Sequence, residues 1–296
     1  MMKDICCIGH ITKDKIMTPR STVYMAGGTS FYFSYALRQL PPKVSFCLVT
    51  AMEPTEAQPV EQMRQAGIEV ALCPSRNTVF FENIYTDNSD DRQQRVLAKA
   101  DPFSIEQLQH VRAKVFHLGS LLNDDFPIEV IDMLAQRGRL SVDVQGFLRE
   151  VQNGYVCPID WKDKRHVLQR TSYLKVNESE MTILTGQTDP HRAALLLAEW
   201  GVKEVCITLG HRGSMVYVAG RFYDIPAYVP RELVDATGCG DTYSAGYLYG
   251  RLQGLSPYHS GCFAAAMCTL KLEHNGPFHR TAADIETVMK NKQVVR

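Results

Sequence analysis

One carboxylate ends a glycine-spaced turn in this chain, in the run Leu233-Val234-Asp235-Ala236-Thr237-Gly238-Cys239-Gly240-Asp241-Thr242-Tyr243-Ser244-Ala245-Gly246. The run begins apolar, turns through Gly238 and Gly240, and predicts a helix to about Leu252, because Tyr243, Tyr247 and the Leu248/Leu252 pair recur at helical spacing. Amide N–H groups at a helix start have no intrahelical partner and lie at the positive end of the helix dipole. They suit a phosphate, or the charge that develops while one is transferred. Asp241 would repel such an anion. Its place makes sense if it takes a proton from an attacking hydroxyl; capping of the helix is the alternative role.

The elements that must carry this turn read as alternating strands and helices. Ile5-Cys6-Cys7-Ile8-Gly9 is a buried parallel strand, and its polar exit leads to Asp14. The spacing predicts further strands over 44–50, 68–73, 115–119, 140–144, 172–176 and 204–209, and a hairpin over 213–225. Helices are expected over 30–40, 56–65, 126–137, 177–185, 191–200, 256–271 and 282–289. The pattern is one doubly wound, mostly parallel α/β sheet with helices on both faces, in a single domain spanning 1–296.

Two segments stand outside it. Residues 15–26 are too polar for a central sheet, and 77–98 reads as a hairpin around Asp87-Asn88-Ser89-Asp90-Asp91. Together they form either a small separate β-sheet, a lid, or an edge extension of the main sheet. Asp14 and Asp143 both fall at strand ends on one edge, where a polyhydroxy ligand needs acceptors for its hydroxyl protons. Arg149 follows Asp143 closely enough to reach the same cleft and pair an anionic group, or else to form a surface ion pair. Asn177 and Glu180 make a capping-box pattern.

The segment Asp-Ala-Thr-Gly-Cys-Gly-Asp resembles the C-terminal signature of the ribokinase/PfkB carbohydrate kinases, departing from it at Cys239, where alanine is usual. The resemblance implies that Ala236, Thr237, Gly238, Cys239 and Gly240 form an anion hole with Asp241 as catalytic base. It implies sugar contacts at Gly27 and Gly28, water-mediated Mg²⁺ ordering by Asn177 and Glu180, and nucleotide contacts along Thr208, Gly210 and Gly213. Asn275 and Gly276 would lie beside the adenine. It also implies a lid over the sugar, with family lids often pairing into homodimers. The expected activity is transfer of the γ-phosphoryl of ATP to a hydroxyl of a small sugar or polyol. A nucleoside acceptor, and a non-catalytic sugar or nucleotide sensor on the same scaffold, are the alternatives. Cys239 is expected to be small packing, its other reading being a thiol activated at the helix start.

Composition narrows the classes. The 296 residues include 32 basic and 32 acidic side chains, so no net charge draws the chain to nucleic acid or an anionic membrane. No run reaches the length of a membrane helix, and nothing resembles a signal peptide. The nine scattered cysteines include no C-x-x-C pair, which suggests reduced thiols and a cytoplasmic setting. Gly9 stands without the Gly-x-Gly-x-x-Gly spacing of a dinucleotide-dependent oxidoreductase.

Overall fold

The computed structural model describes residues 2–85, 92–291 and 293–295. In chain order the strands are β1 (Lys3–Ile8), β2 (Thr12–Thr18), β3 (Ser21–Gly27), β4 (Phe46–Met52), β5 (Val70–Pro74), β6 (Val79–Tyr85), β7 (Arg92–Ala98) and β8 (Ala113–Gly119). There follow β9 (Arg139–Asp143), β10 (Arg149–Gln152), β11 (Tyr155–Pro158), β12 (Thr171–Asn177), β13 (Glu204–Thr208), β14 (Ser214–Val218) and β15 (Arg221–Ile225). The helices are α1 (Thr29–Arg38), α2 (Gln58–Gln65), α3 (Ile105–Leu108), α4 (Ile128–Ala135), α5 (Lys164–Leu168), α6 (Glu178–Thr185), α7 (Pro190–Glu199), α8 (Cys239–Leu252), α9 (Pro257–Leu272) and α10 (Ala282–Asn291).

Nine strands form the main sheet in the order β15-β14-β13-β12-β9-β8-β1-β4-β5. The seven from β13 to β5 are parallel, and the hairpin β14–β15 closes one edge antiparallel. β1 shows why the sheet is covered on both faces. Ile5 and Cys7 belong to one hydrophobic cluster with residues of α1, α8 and α9, while Cys6 and Ile8 belong to another with residues of α4, α6 and α7. Successive strand side chains point to opposite faces, so an unbroken apolar run needs a helical layer on each side. Each such side chain taken from water contributes about 1.5–3 kcal/mol, before conformational entropy is set against it.

The second sheet is separate, with six strands in the order β10-β11-β7-β6-β2-β3. It contains the segments expected to form a small sheet apart, not an edge of the main one. It also contains the hairpin β10–β11, which sequence patterning did not single out. Val79, Phe81 and Val96 on this sheet pack with Leu121 and Leu122 from the main-sheet side and tie the two together. The turn-rich cluster Asp87–Asp91 lies outside the described residues.

Candidate active site

The carboxyl ends of β1, β8, β9 and β12 and the starts of α1, α6 and α8 meet at one edge of the main sheet, the place an open α/β sheet offers a ligand. β1 ends against Gly9 and β8 at Gly119, and both glycines admit the start of α1. A Cβ on Gly9 would stand 2.4 Å from the Gly119 carbonyl oxygen, and one on Gly119 would stand 2.8 Å from Ser30 Oγ. No side chain larger than hydrogen fits there, so the α1 N-terminus reaches the edge and delivers Thr29 to Asp241.

Gly238 is the N-cap of α8 at φ 78°, a left-handed conformation that glycine adopts without strain. A Cβ there would also meet Tyr32 Cδ1 at 2.3 Å. Of the amides in the turn, Thr237 donates to Asp235 Oδ1 at 2.8 Å and Cys239 to the Ala236 carbonyl at 3.2 Å. The N–H groups of Ala236, Gly238, Gly240 and Asp241 have no acceptor among the described residues. The anion hole expected from five consecutive residues therefore has three unspent donors in that stretch, and the Asp241 N–H adds a fourth. Thr237 and Cys239 spend theirs on holding the turn in shape.

Asp241 is half-buried in the first turn of α8. Its carboxyl is pushed up to about 8, first by loss of hydration, then by the neighbouring Asp143 carboxylate; the Lys175 ammonium and a hydrogen bond from Thr29 act the other way. A carboxyl near neutrality is poised to accept a proton and hand it on.

Lys175 was absent from the residues the sequence singled out, and it joins four of them, Asp143, Glu180, Gly240 and Asp241. It lies in β12 with its side chain 10% exposed, and its Nζ is 3.2 Å from Asp143 Oδ2 and 3.7 Å from Glu180 Oε2. A Cβ on Gly240 would stand 2.9 Å from the same Nζ. Despite burial, the carboxylates of Asp143, Glu180 and Asp241 hold this lysine above its ordinary value. A signal for it existed: a lysine inside the apolar run Tyr173-Leu174-Lys175-Val176 is a charge where none is expected without a partner.

Asp143, expected to receive substrate hydroxyls, is 1% exposed. One carboxylate oxygen accepts from Lys175 and the other from the Gln145 N–H at 3.1 Å. Asn177 and Glu180 form the capping box: Asn177 Oδ1 accepts from the Glu180 N–H at 2.9 Å, and Glu180 Oε2 accepts from the Asn177 N–H at 2.8 Å. Burial raises Glu180, while the Lys175 ammonium, the Asn177 N–H and the Arg149 guanidinium pull it back. Arg149, Asn177 and Glu180 line one cavity with Gln94 and Gln145. Among the described residues no cluster of three side chains forms a metal cage. The residues present suit a magnesium ion held through water and ligand phosphates, the usual habit of an ion that dehydrates reluctantly.

Asp14 on β2 faces the end of β3. A Cβ on Gly27 would stand 2.5 Å from Asp14 Oδ2, and one on Gly28, the N-cap of α1 at φ 96°, would stand 2.6 Å from the His10 carbonyl oxygen. Tyr32 packs against the turn, being the ring that a Cβ on Gly238 would meet, and its hydroxyl is raised by burial and then by Asp14, Asp235 and Asp241. Thr208 pairs with Asn177 across the main sheet. Gly210 and Gly213 bracket a short turn whose Arg212 ion-pairs with Glu178 of α6. Asn275 and Gly276 follow α9 and are held near Asp235, because Lys271 bonds both Asp235 and the His274 carbonyl. Cys239 is packing: burial pushes its thiol up to about 12, and it exchanges hydrogen bonds with Cys268.

The profile of the pfkB family carbohydrate kinases matches residues 2–281. The chain belongs to that family and is a phosphotransferase acting on a sugar or nucleoside hydroxyl. It is 29% identical over 262 residues to a cytidine kinase of Thermococcus kodakarensis, covering 86% of this chain and 90% of that one. Among solved structures it is similar to a pyrophosphate-dependent kinase of the ribokinase family in complex with sulfate, with TM-score 0.86 and 28% identity over 95% of this chain and 99% of that one. A pyrophosphate-dependent kinase of that family, complexed with a pyrophosphate analogue and myo-inositol, aligns with TM-score 0.83 and 27% identity over 96% of this chain and all (100%) of that one.

Proposed function

We propose that the chain transfers the γ-phosphoryl group of ATP to a hydroxyl of a small sugar or polyol, with Asp241 as general base. The observation that carries this is the juxtaposition of a carboxyl held near neutrality with four unspent amides at one helix start. The acceptor hydroxyl gives its proton to Asp241 as its oxygen bonds to the γ-phosphorus, and the bond to the β-phosphate oxygen breaks. The amides of Ala236, Gly238 and Gly240 donate to the charge spreading over the moving phosphoryl. Lys175 keeps Asp241 from being fully neutralised by its acidic neighbours and presents a cation at the same turn. Bound magnesium would offset phosphate charge, with Asn177 and Glu180 ordering its waters. Asp14 and the Gly27-Gly28 backbone orient the acceptor. Asp143 acts on the reaction through Lys175 as well as by any hydroxyl it receives, and Arg149 pairs an anionic group in the cleft. Thr208, Gly210 and Gly213 follow the nucleotide, with Asn275 and Gly276 beside its base. The second sheet serves as the lid of one domain, excluding water that would compete as nucleophile, and pairs into a homodimer.

A second donor, inorganic pyrophosphate, is favoured by the two pyrophosphate-dependent kinases that align over nearly the whole chain. A nucleoside acceptor is favoured by the cytidine kinase relative. The test is a phosphorylation assay crossing ATP and pyrophosphate with inositols, sugars and nucleosides. Phosphorylated product with a small polyol or sugar and ATP supports the reading. Product only with pyrophosphate or only with nucleosides selects the corresponding alternative. Binding without turnover in every combination would make the chain a sensor.

A further inference from the structure

We propose that Lys271 is a positioning residue for phosphoryl transfer, a built-in ammonium that braces and polarises the anion-hole turn from behind. The proposal rests on the kinase reading above. Lys271 lies in the last turn of α9, in an otherwise apolar stretch, and its side chain is 0% exposed. Its Nζ has three N–H donors and three oxygens to receive them: the Asp235 carbonyl, Asp235 Oδ2 and the His274 carbonyl, each at 3.1 Å. A cation at the end of a helix also complements the dipole there.

The position of this ammonium matters more than its pairing. The Asp235 carbonyl it bonds belongs to the same peptide unit as the Ala236 N–H. No cis peptide bond is present, so the two groups point in opposite directions. With the carbonyl fixed on Lys271, the Ala236 N–H is aimed the other way, and it has no acceptor among the described residues. The remaining oxygen of Asp235 accepts from the Thr237 N–H at 2.8 Å, so one carboxylate joins the ammonium to the next link of the turn. Backbone bonds from Val234 and Asp235 to the Leu272 carbonyl, at 2.8 and 3.2 Å, pin the same segment to the end of α9. The Lys271 charge reaches the turn itself, because it is one of the influences on the Cys239 thiol.

Three oxygens around a buried point charge are also the setting of a small monovalent cation. Here the charge is covalently attached, so the turn needs none from solution. The experiment uses the full chain. Wild-type turnover is first measured with tetramethylammonium as the sole monovalent cation, then with potassium or sodium at equal ionic strength; equal rates are expected. Lys271→Ala and Lys271→Met are then compared, with circular dichroism and melting temperature as the check on folding. Both should lose roughly tenfold to 10²-fold in kcat, no more than the smallest loss (about 10²-fold) for removing one preorganised amide donor outright, because here the donor is loosened and not removed, with little change in acceptor KM. Ammonium or potassium ions should restore much of the rate to Lys271→Ala, which leaves a cation-sized space. They should not restore it to Lys271→Met, whose side chain fills that space.

A wild-type requirement for a small monovalent cation overturns the proposal, and this result stands even where neither variant folds. A folded Lys271→Met with wild-type kcat overturns it equally. If the wild type transfers no phosphoryl group to any acceptor, the kinase reading has failed separately. Lys271 is then judged by calorimetric binding of inorganic phosphate, which Lys271→Met should weaken and whose retention at wild-type strength would overturn the bracing role.

Discussion

The ammonium of Lys175 stands 2.9 Å from the point where a side chain on Gly240 would begin. The turn and the buried lysine are therefore fitted to each other, and a methyl group at Gly240 must displace the cation. Gly240→Ala should lower kcat by on the order of 10²-fold, the scale of losing one preorganised donor, with the fold retained. Steady-state kinetics alongside a melting curve measure this.

Lys175→Met tests the charge itself. Asp143, Glu180 and Asp241 would share a buried site with no lysine, and removing one partner of such a group costs about 3–5 kcal/mol. Urea denaturation should show the loss. If the variant folds, the alkaline shift of the rate profile is the second readout, since Lys175 is the group that most lowers Asp241.

Asp241→Asn removes the base and should reduce turnover on the order of 10²–10⁴-fold while leaving donor binding in place. Retained turnover in a folded variant would discard the assignment. The pH dependence has a definite sign. Asp241 goes from 3.8 unfolded to about 8 folded, so between those values only the folded chain holds the proton. Stability from this group is complete below the lower value and is lost as pH rises through the upper one. Wild type should therefore lose stability relative to Asp241→Asn across that window, as its kcat/KM for the acceptor rises with deprotonation of the base.

Asn177→Ala separates the two roles of the capping box. Loss of the cap alone costs about 1 kcal/mol of stability. If Asn177 also orders water around magnesium, the magnesium concentration for half-maximal rate rises as well. Titration of the rate with magnesium, at temperatures where both proteins are folded, measures the second effect.

Gly238→Ala combines two penalties, a positive φ of 78° and a Cβ 2.3 Å from the Tyr32 ring. It should lower the melting temperature and sharply reduce transfer, because Gly238 starts the helix that carries Asp241, and moving that start away from Tyr32 misplaces the turn. Tyr32→Ala in the Gly238→Ala background should recover part of the stability by opening the space.

Local pattern was enough for most of the strands, most of the helices and the glycine-spaced turn, because periodicity and capping are written in neighbouring residues. The Asn177 cap and the Gly186 stop are examples, both present where the spacing placed them. The hairpin β10–β11 was not legible: its strands are four residues each and half-polar, and they exist because β7 offers an edge to pair with. What the amino-acid order determined by itself was a doubly wound sheet and a carboxylate behind a glycine-spaced turn that opens a helix. What only the tertiary structure decided was which charges surround that carboxylate. Lys175 and Asp143 are 32 residues apart, and Lys271 and Asp235 are 36 apart. A buried charge is made tolerable by partners that packing brings together, and no short-range rule of sequence names them.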